Sequence, residues 1–145
     1  MKAVIQRVNK ASVKVNNELI SEINKGLLIL LGIKKGDTEN QIKELVKKCA
    51  NLRVFEDDCG KFNLSLIDIK GEALVVSQFT LLADTAKGRR PSFTDAEEPE
   101  RARNLYEVFM ENLNQLGILT KGGIFGERML VSIENNGPVT IIMEA

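Results

Sequence analysis

Residues Gly26 to Ile33 read GLLILLGI, with no charged or polar side chain anywhere in the run. A strand with one wet face alternates apolar and polar residues, whereas a run apolar at every position needs cover on both faces. The run is also far shorter than the ~20 apolar residues that cross a membrane. It therefore belongs mid-sheet, and the neighbouring segments must supply the strands and helices that enclose it.

On its N-terminal side, AVIQRV (Ala3 to Val8) alternates. ASVKVNNELISEI (Ala11 to Ile23) sets Val13 and Val15 against Leu19, Ile20 and Ile23 across Asn16-Asn17. Asparagine tolerates positive φ, so the pair predicts a tight hairpin turn. On the C-terminal side, Thr38 followed by Gln41 is a capping-box pattern. Ile42, Leu45, Val46 and Cys49 then recur at helical spacing, with Lys43, Glu44, Lys47 and Lys48 facing outward. LRVFEDDCGKFNLSLIDI (Leu52 to Ile69) reads as two strands joined at Asp57–Gly60, and GEALVVSQFTLLA (Gly71 to Ala83) as a further buried strand.

A polar loop from Asp84 to about Glu98 leads to a second helix with apolar positions Ala102, Leu105, Tyr106, Phe109, Leu113 and Leu116. Pro99 suits its first position, where a missing N–H costs nothing; Thr94 with Glu97 offers a competing start, and Gly117 ends it. Two strands are expected near Arg128–Glu134 and Val139–Met143. With no repeat, linker or low-complexity tract, residues 1–145 read as a single α+β domain. Its sheets are antiparallel or mixed, barrel- or sandwich-like, with two main helices packed on one side.

Apolar residues make up 43% and charged residues 28% of the chain, a globular rather than a disordered composition. The N-terminus lacks the apolar core of a signal peptide, which predicts a cytoplasmic protein. Twenty basic and 20 acidic residues cancel, so a nucleic-acid partner must be held by a local patch and by shape. Cys49 and Cys59 form no CxxC pair and are expected to be reduced thiols. There is no histidine, which excludes Ser-His-Asp and Cys-His catalysis and imidazole-bound metal. Neither G-x-G-x-x-G nor a Walker loop occurs.

Four short segments carry candidate chemistry. EDDCGK (56–61) gathers carboxylates, but Cys59 stands where a calcium loop needs an oxygen ligand, and the segment reads as a hairpin turn. KGRRPSF (87–93) places Lys87, Arg89 and Arg90 in a loop with Phe93 nearby, suited either to a phosphate-bearing strand or simply to solubility. SQFTL (77–81) follows the apolar ALVV with three polar side chains, Ser77, Gln78 and Thr80, around Phe79. Such a cluster is either an emerging strand end or a polar site inside the sheet. GPVT (137–140) puts Gly137-Pro138 at the lip of the last strand. Local chemistry favours a trans bond there, and a cis bond would turn two successive carbonyls to one side.

Taken in order, MKAVIQRV..ASV, KGLLILLGI..GDTE, VFED..GK.NLSL, LVVSQFTLLADT.KGRRPSF and NGPVTI closely resemble the bacterial D-aminoacyl-tRNA deacylases, formerly D-Tyr-tRNA(Tyr) deacylases, nearly end to end. The resemblance implies a homodimer with active sites at the subunit interface, acting on tRNA, with no DNA, membrane or cofactor involved. Ser77, Gln78, Phe79 and Thr80 of one subunit would floor the pocket. Gly137 and cis-Pro138 of the other would reject L side chains by collision, leaving D-aminoacyl-tRNA and glycyl-tRNA as substrates. Backbone N–H groups near Phe79 and Thr80 would stabilise the oxyanion. Either the Thr80 hydroxyl or the ribose 2′-hydroxyl would drive the attack, and the missing histidine favours the second. Phe125 and Met129 match apolar family positions that would pack around the terminal adenosine or the pocket wall, and Lys87, Arg89 and Arg90 would lie near the acceptor end. Asn136 stands where many relatives have aspartate, and the segment around Glu127, Arg128 and Leu130 also departs from commoner forms. The rival reading is a non-catalytic RNA-binding β protein.

Overall fold

The structure is a computed structural model that describes residues 1–145. β1 (Lys2–Val15) is one long strand where the sequence suggested two. Asn16 and Asn17, at φ 50° and 66°, turn it into β2 (Glu18–Ile23), as their side chains predicted. β3 (Gly26–Gly32) pairs with the first half of β1, antiparallel from Lys2↔Gly32 to Val8↔Gly26.

α1 (Glu39–Asn51) starts on the Thr38–Gln41 capping box and buries Ile42, Leu45, Val46, Cys49 and Ala50. β4 (Phe55–Glu56) and β5 (Phe62–Leu64) form a separate small hairpin. At its turn, Asp57 Oδ1 accepts from the N–H groups of Cys59 and Lys61, 2.9 and 3.0 Å away. The acidic segment is thus a closed turn, and its Asp57 carboxylate is already committed to the backbone.

β6 (Glu72–Ser77) runs parallel to β3, and β7 (Thr120–Gly122), a strand the sequence did not reveal, runs parallel to β6. Parallel neighbours need long crossovers. These carry α1 between β3 and β6, and α2 (Pro99–Gln115) between β6 and β7. α2 begins with Pro99 at its first position, so the Thr94 alternative is not used, and Leu116 falls outside the helix, exposed. The Ser21 hydroxyl of β2 donates to the Gly122 carbonyl of β7 at 2.8 Å, which nearly closes the mixed sheet into a barrel.

β3 is buried on both faces, as its sequence demanded. Leu27, Ile29 and Leu31 pack toward the helices with Phe55, Tyr106 and Phe109. Leu28 packs to the other side with Val8, Val13, Ile23, Leu74 and Val76. The strands crowd enough that a Cβ on Gly26 would come within 1.9 Å of the Glu72 carbonyl oxygen.

β8 (Leu130–Glu144) pairs antiparallel with the free edge of β1 and is one strand, not the two expected. Gln6 pairs with Thr140 and Val8 with Asn135, so Asn136 to Val139 all stand opposite Arg7 alone. The excess chain bulges out of the ladder, and this is how a strand continues across a proline. No helix is long and apolar enough to cross a membrane.

Candidate active site

β6 does not continue through SQFTLLA as the sequence suggested. Its last ladder bond is Gln78 N–H to the Leu31 carbonyl at 2.8 Å; Phe79–Leu82 then tighten into a 3₁₀ turn. Leu81 bonds back to the Gln78 carbonyl at 3.3 Å and Ala83 to the Thr80 carbonyl at 3.1 Å. The N–H groups of Phe79 and Thr80 open the turn, where no intrahelical carbonyl reaches them. The break delivers a polar backbone corner at the end of a buried strand.

That corner floors a cavity of about 410 Å³. Ser77, Gln78 and Phe79 line one side, Pro99, Ala102, Phe125 and Met129 another, and Leu31 and Val76 the depth. Thr80 follows at its edge, exposed, and its hydroxyl accepts from the Gln78 side-chain amide. An amide donor cannot take a proton, so Thr80 has no base beside it. Phe79 is 57% exposed and meets Phe93 edge-on at 5.0 Å between centroids.

Phe93 also anchors the basic loop. Asp84 and Ser92 exchange backbone hydrogen bonds of 2.8 and 2.9 Å, so residues 85–91 form a closed loop beside Phe79. Lys87, Arg89 and Arg90 are exposed on it and form no ion pair. They stand near the cavity without lining it.

Two acidic side chains also line the cavity: Glu127, in the segment that departs from commoner family forms, and Glu97, which the sequence offered only as a helix-capping residue. Glu97 takes the N–H of Glu98 at 3.0 Å and that of Gly36 at 3.4 Å, and pairs with Arg101. The Glu98 N–H first, then Gly36 and Arg101, hold its carboxyl below the usual range. Tyr106 lies against Phe125 at 5.8 Å, and its hydroxyl donates to the Val75 carbonyl at 2.8 Å. Burial pushes this phenol up to about 12.

Gly137 and Pro138 are not in this cavity. They sit on the β8 bulge, exposed, with a cis bond between them and Gly137 at φ 132°, open only to glycine without strain. The bulge is braced from three sides. Arg7 Nε donates to the Asn136 carbonyl at 2.9 Å, Asn136 Nδ2 to Asn9 Oδ1 at 2.8 Å, and Val139 N–H to Asn135 Oδ1 at 3.1 Å. Aspartate at 136 would have no amide to donate, so the departure at this position has a local partner. Within one chain the two motifs that the sequence singled out therefore lie apart.

The sequence model of the D-Tyr-tRNA(Tyr) deacylase family matches residues 4–144. The chain belongs to the D-Tyr-tRNA(Tyr) deacylase family. Across all 145 residues it is 57% identical to a D-aminoacyl-tRNA deacylase of Aquifex aeolicus and covers 98% of that protein. It is 59% identical to a D-aminoacyl-tRNA deacylase of Persephonella marina, again covering 98%. A solved structure named c-Myc DNA unwinding element binding protein superposes with TM-score 0.95 at 46% identity, covering 100% of this chain and 99% of that one. A probable eukaryotic D-amino acid tRNA deacylase gives TM-score 0.85 at 17% identity, over 99% and 98% of the two chains, a likeness of fold alone.

Proposed function

We propose that the protein hydrolyses the ester of D-aminoacyl-tRNA, releasing free D-amino acid and tRNA, and acts on glycyl-tRNA mischarged on a non-glycine tRNA. The observation that carries this reading is the open polar turn Ser77–Thr80 flooring a largely apolar cavity, in a chain of the deacylase family. A nucleoside-sized, aromatic-walled cavity suits the terminal adenosine, with Phe125 and Met129 as its wall. The ester carbonyl then lies over the turn.

The ester is already activated, so the protein needs to position it and to stabilise the oxyanion. The free N–H groups of Phe79 and Thr80 supply that stabilisation. Ser77 and Gln78 orient the amino group and ribose, and the neighbouring ribose 2′-hydroxyl assists the attacking water. Thr80 is not the nucleophile in this scheme, consistent with its amide-bonded hydroxyl. Lys87, Arg89 and Arg90 meet the acceptor end of the tRNA.

The active species is a homodimer in which Gly137 and Pro138 of one subunit cap the cavity of the other. Main-chain groups there collide with an L side chain, leave room for a D side chain, and find nothing to exclude on glycine. The exposure of the bulge and its absence from the lining of its own chain's cavity support this arrangement. The reaction takes place in the cytoplasm and without a cofactor.

Turnover tests the reading. Metal-free protein is expected to release D-tyrosine from D-Tyr-tRNA and leave L-Tyr-tRNA nearly intact. Thr80→Ala is expected to keep substantial activity. Tight, salt-dependent tRNA binding with no hydrolysis would overturn the enzyme and leave the RNA-binding alternative.

A further inference from the structure

The cavity wall at Phe125 carries a cation, Arg103, to which the function above gives no task. Arg103 stands on α2 directly after the cavity-lining Ala102. Its guanidinium lies over the Phe125 ring, 5.5 Å from the centroid. Phe125 is itself held by Tyr106 at 5.8 Å, so the guanidinium sits over a braced ring at the cavity wall. Glu100 and Glu107, one turn away on either side, make no ion pair with Arg103. No acceptor within the chain takes its N–H groups either. With no ion pair and no internal acceptor, the N–H donors of this guanidinium stay available in the fork geometry that fits phosphate.

At the Ser77–Phe79 part of the lining, Phe79 and Phe93 form the other aromatic pair, beside the loop that carries the equally unpaired Lys87, Arg89 and Arg90. An apolar, aromatic-walled cavity with unpaired cations beside both of its aromatic residues, Phe79 and Phe125, matches a polyanionic strand end whose last base enters the cavity. A neutral or cationic partner would leave these cations uncompensated, and an acidic peptide would not use the ring-lined cavity between them.

Resting on the reading of the cavity as the seat of a tRNA 3′ end, we infer that Arg103, braced on Phe125, is a positioning residue that binds a backbone phosphate of the single-stranded acceptor end. Together with the 87–90 loop it fixes the strand. The ester is thereby registered over the Ser77–Thr80 turn.

The test is binding of uncharged tRNA across a salt series by wild type and Arg103→Gln. The variant is expected to bind about five- to tenfold more weakly near 0.1 M salt, as loss of one charge-assisted phosphate contact predicts. The slope of log affinity against log salt is expected to become shallower by about 0.7, one single-strand phosphate. Arg103→Lys is expected to recover most of the slope, and tRNA trimmed of its single-stranded 3′ end to bind both proteins alike. An unchanged slope, or the same penalty on trimmed tRNA, overturns the inference.

A parallel assay on 2′(3′)-O-D-tyrosyl-adenosine, which has no phosphate, separates phosphate contact from bracing of Phe125. KM for this substrate is expected to be unaffected by Arg103→Gln. A raised KM on it would assign Arg103 to holding the ring alone. Absence of hydrolysis by the wild type would defeat the deacylase reading, while the salt series would still decide the phosphate contact.

Discussion

Arg7 Nε donates to the Asn136 carbonyl at 2.9 Å and Nη1 to the Val54 carbonyl at 2.7 Å, so one buried guanidinium ties the β8 bulge to the segment leading into β4. The same group faces the Phe62 ring at 5.1 Å. Arg7→Ala strands both carbonyls, and a stability loss of about 2–4 kcal/mol in urea unfolding is expected. Arg7→Lys retains the charge but not the planar fork, and should recover only part of the loss. If the bulge is the chirality filter, L-Tyr-tRNA hydrolysis rises relative to D-Tyr-tRNA in both variants. An unchanged ratio in a destabilised variant would detach Arg7 from selection.

Gly137→Ala tests the bulge from the other side. A Cβ there meets Val139 Cγ2 at 2.8 Å and Arg7 Nη2 at 3.0 Å, at a φ of 132° that L side chains rarely adopt. A cost of about 1–3 kcal/mol is expected in thermal or urea melts, together with weakened D-over-L discrimination. A variant with wild-type stability and discrimination would mean that the bulge relaxes freely.

Alkaline pH should reach the core through Tyr106. Its folded-state value is raised, so its contribution to stability is complete below about 10, the ordinary phenol value. It is lost as pH rises from there through about 12. Cys49, also pushed up to about 12 by burial, adds a loss of the same sign that begins nearer 9. Tyr106→Phe removes the bond to the Val75 carbonyl and should cost about 1 kcal/mol at pH 8. The urea midpoint should then fall less between pH 8 and pH 11 than it does in the wild type. Equal falls would rule out Tyr106 as a contributor.

Thiol chemistry separates the two cysteines. Cys59 is exposed at the hairpin turn and Cys49 is buried against the core. A disulfide reagent at neutral pH should modify Cys59 alone in the folded protein and both thiols in denaturant. Rapid native modification of Cys49 would show that α1 opens readily.

Much of this architecture could be read from local pattern, because local pattern caused it. GLLILLGI is buried on both faces, Asn16-Asn17 turn at positive φ, and Thr38 caps α1 with Gln41. What stayed hidden depends on partners distant in the chain. Thr120-Lys121-Gly122 is too short to show a period and is a strand only because β6 lies beside it. The polar cluster at Ser77 marks a change in β6 without deciding its kind, since Phe79 and Thr80 suit a continuing strand equally well.

At the site, Ser77, Gln78, Phe79, Phe125 and Met129 do converge on one cavity. Nothing in the sequence singles out Arg103, because a helical arginine on an exposed face looks like ordinary solvation. Arg7 is the opposite case. It shares the parity of Ala3 and Ile5, and a charged residue on the core-facing side of a strand is a signal that alternation alone exposes.

The pairing of β1 with β8, from Lys2↔Glu144 to Lys14↔Leu130, has a consequence for how the protein is made. During synthesis the first strand emerges long before its outer neighbour exists, and that edge waits until nearly the whole chain has been translated. Contacts of such sequence separation close late and slowly. The segment carrying Gly137 and Pro138 is part of that last strand. A product that stops before this strand would leave the outer edge of β1 unpaired and lack the bulge altogether.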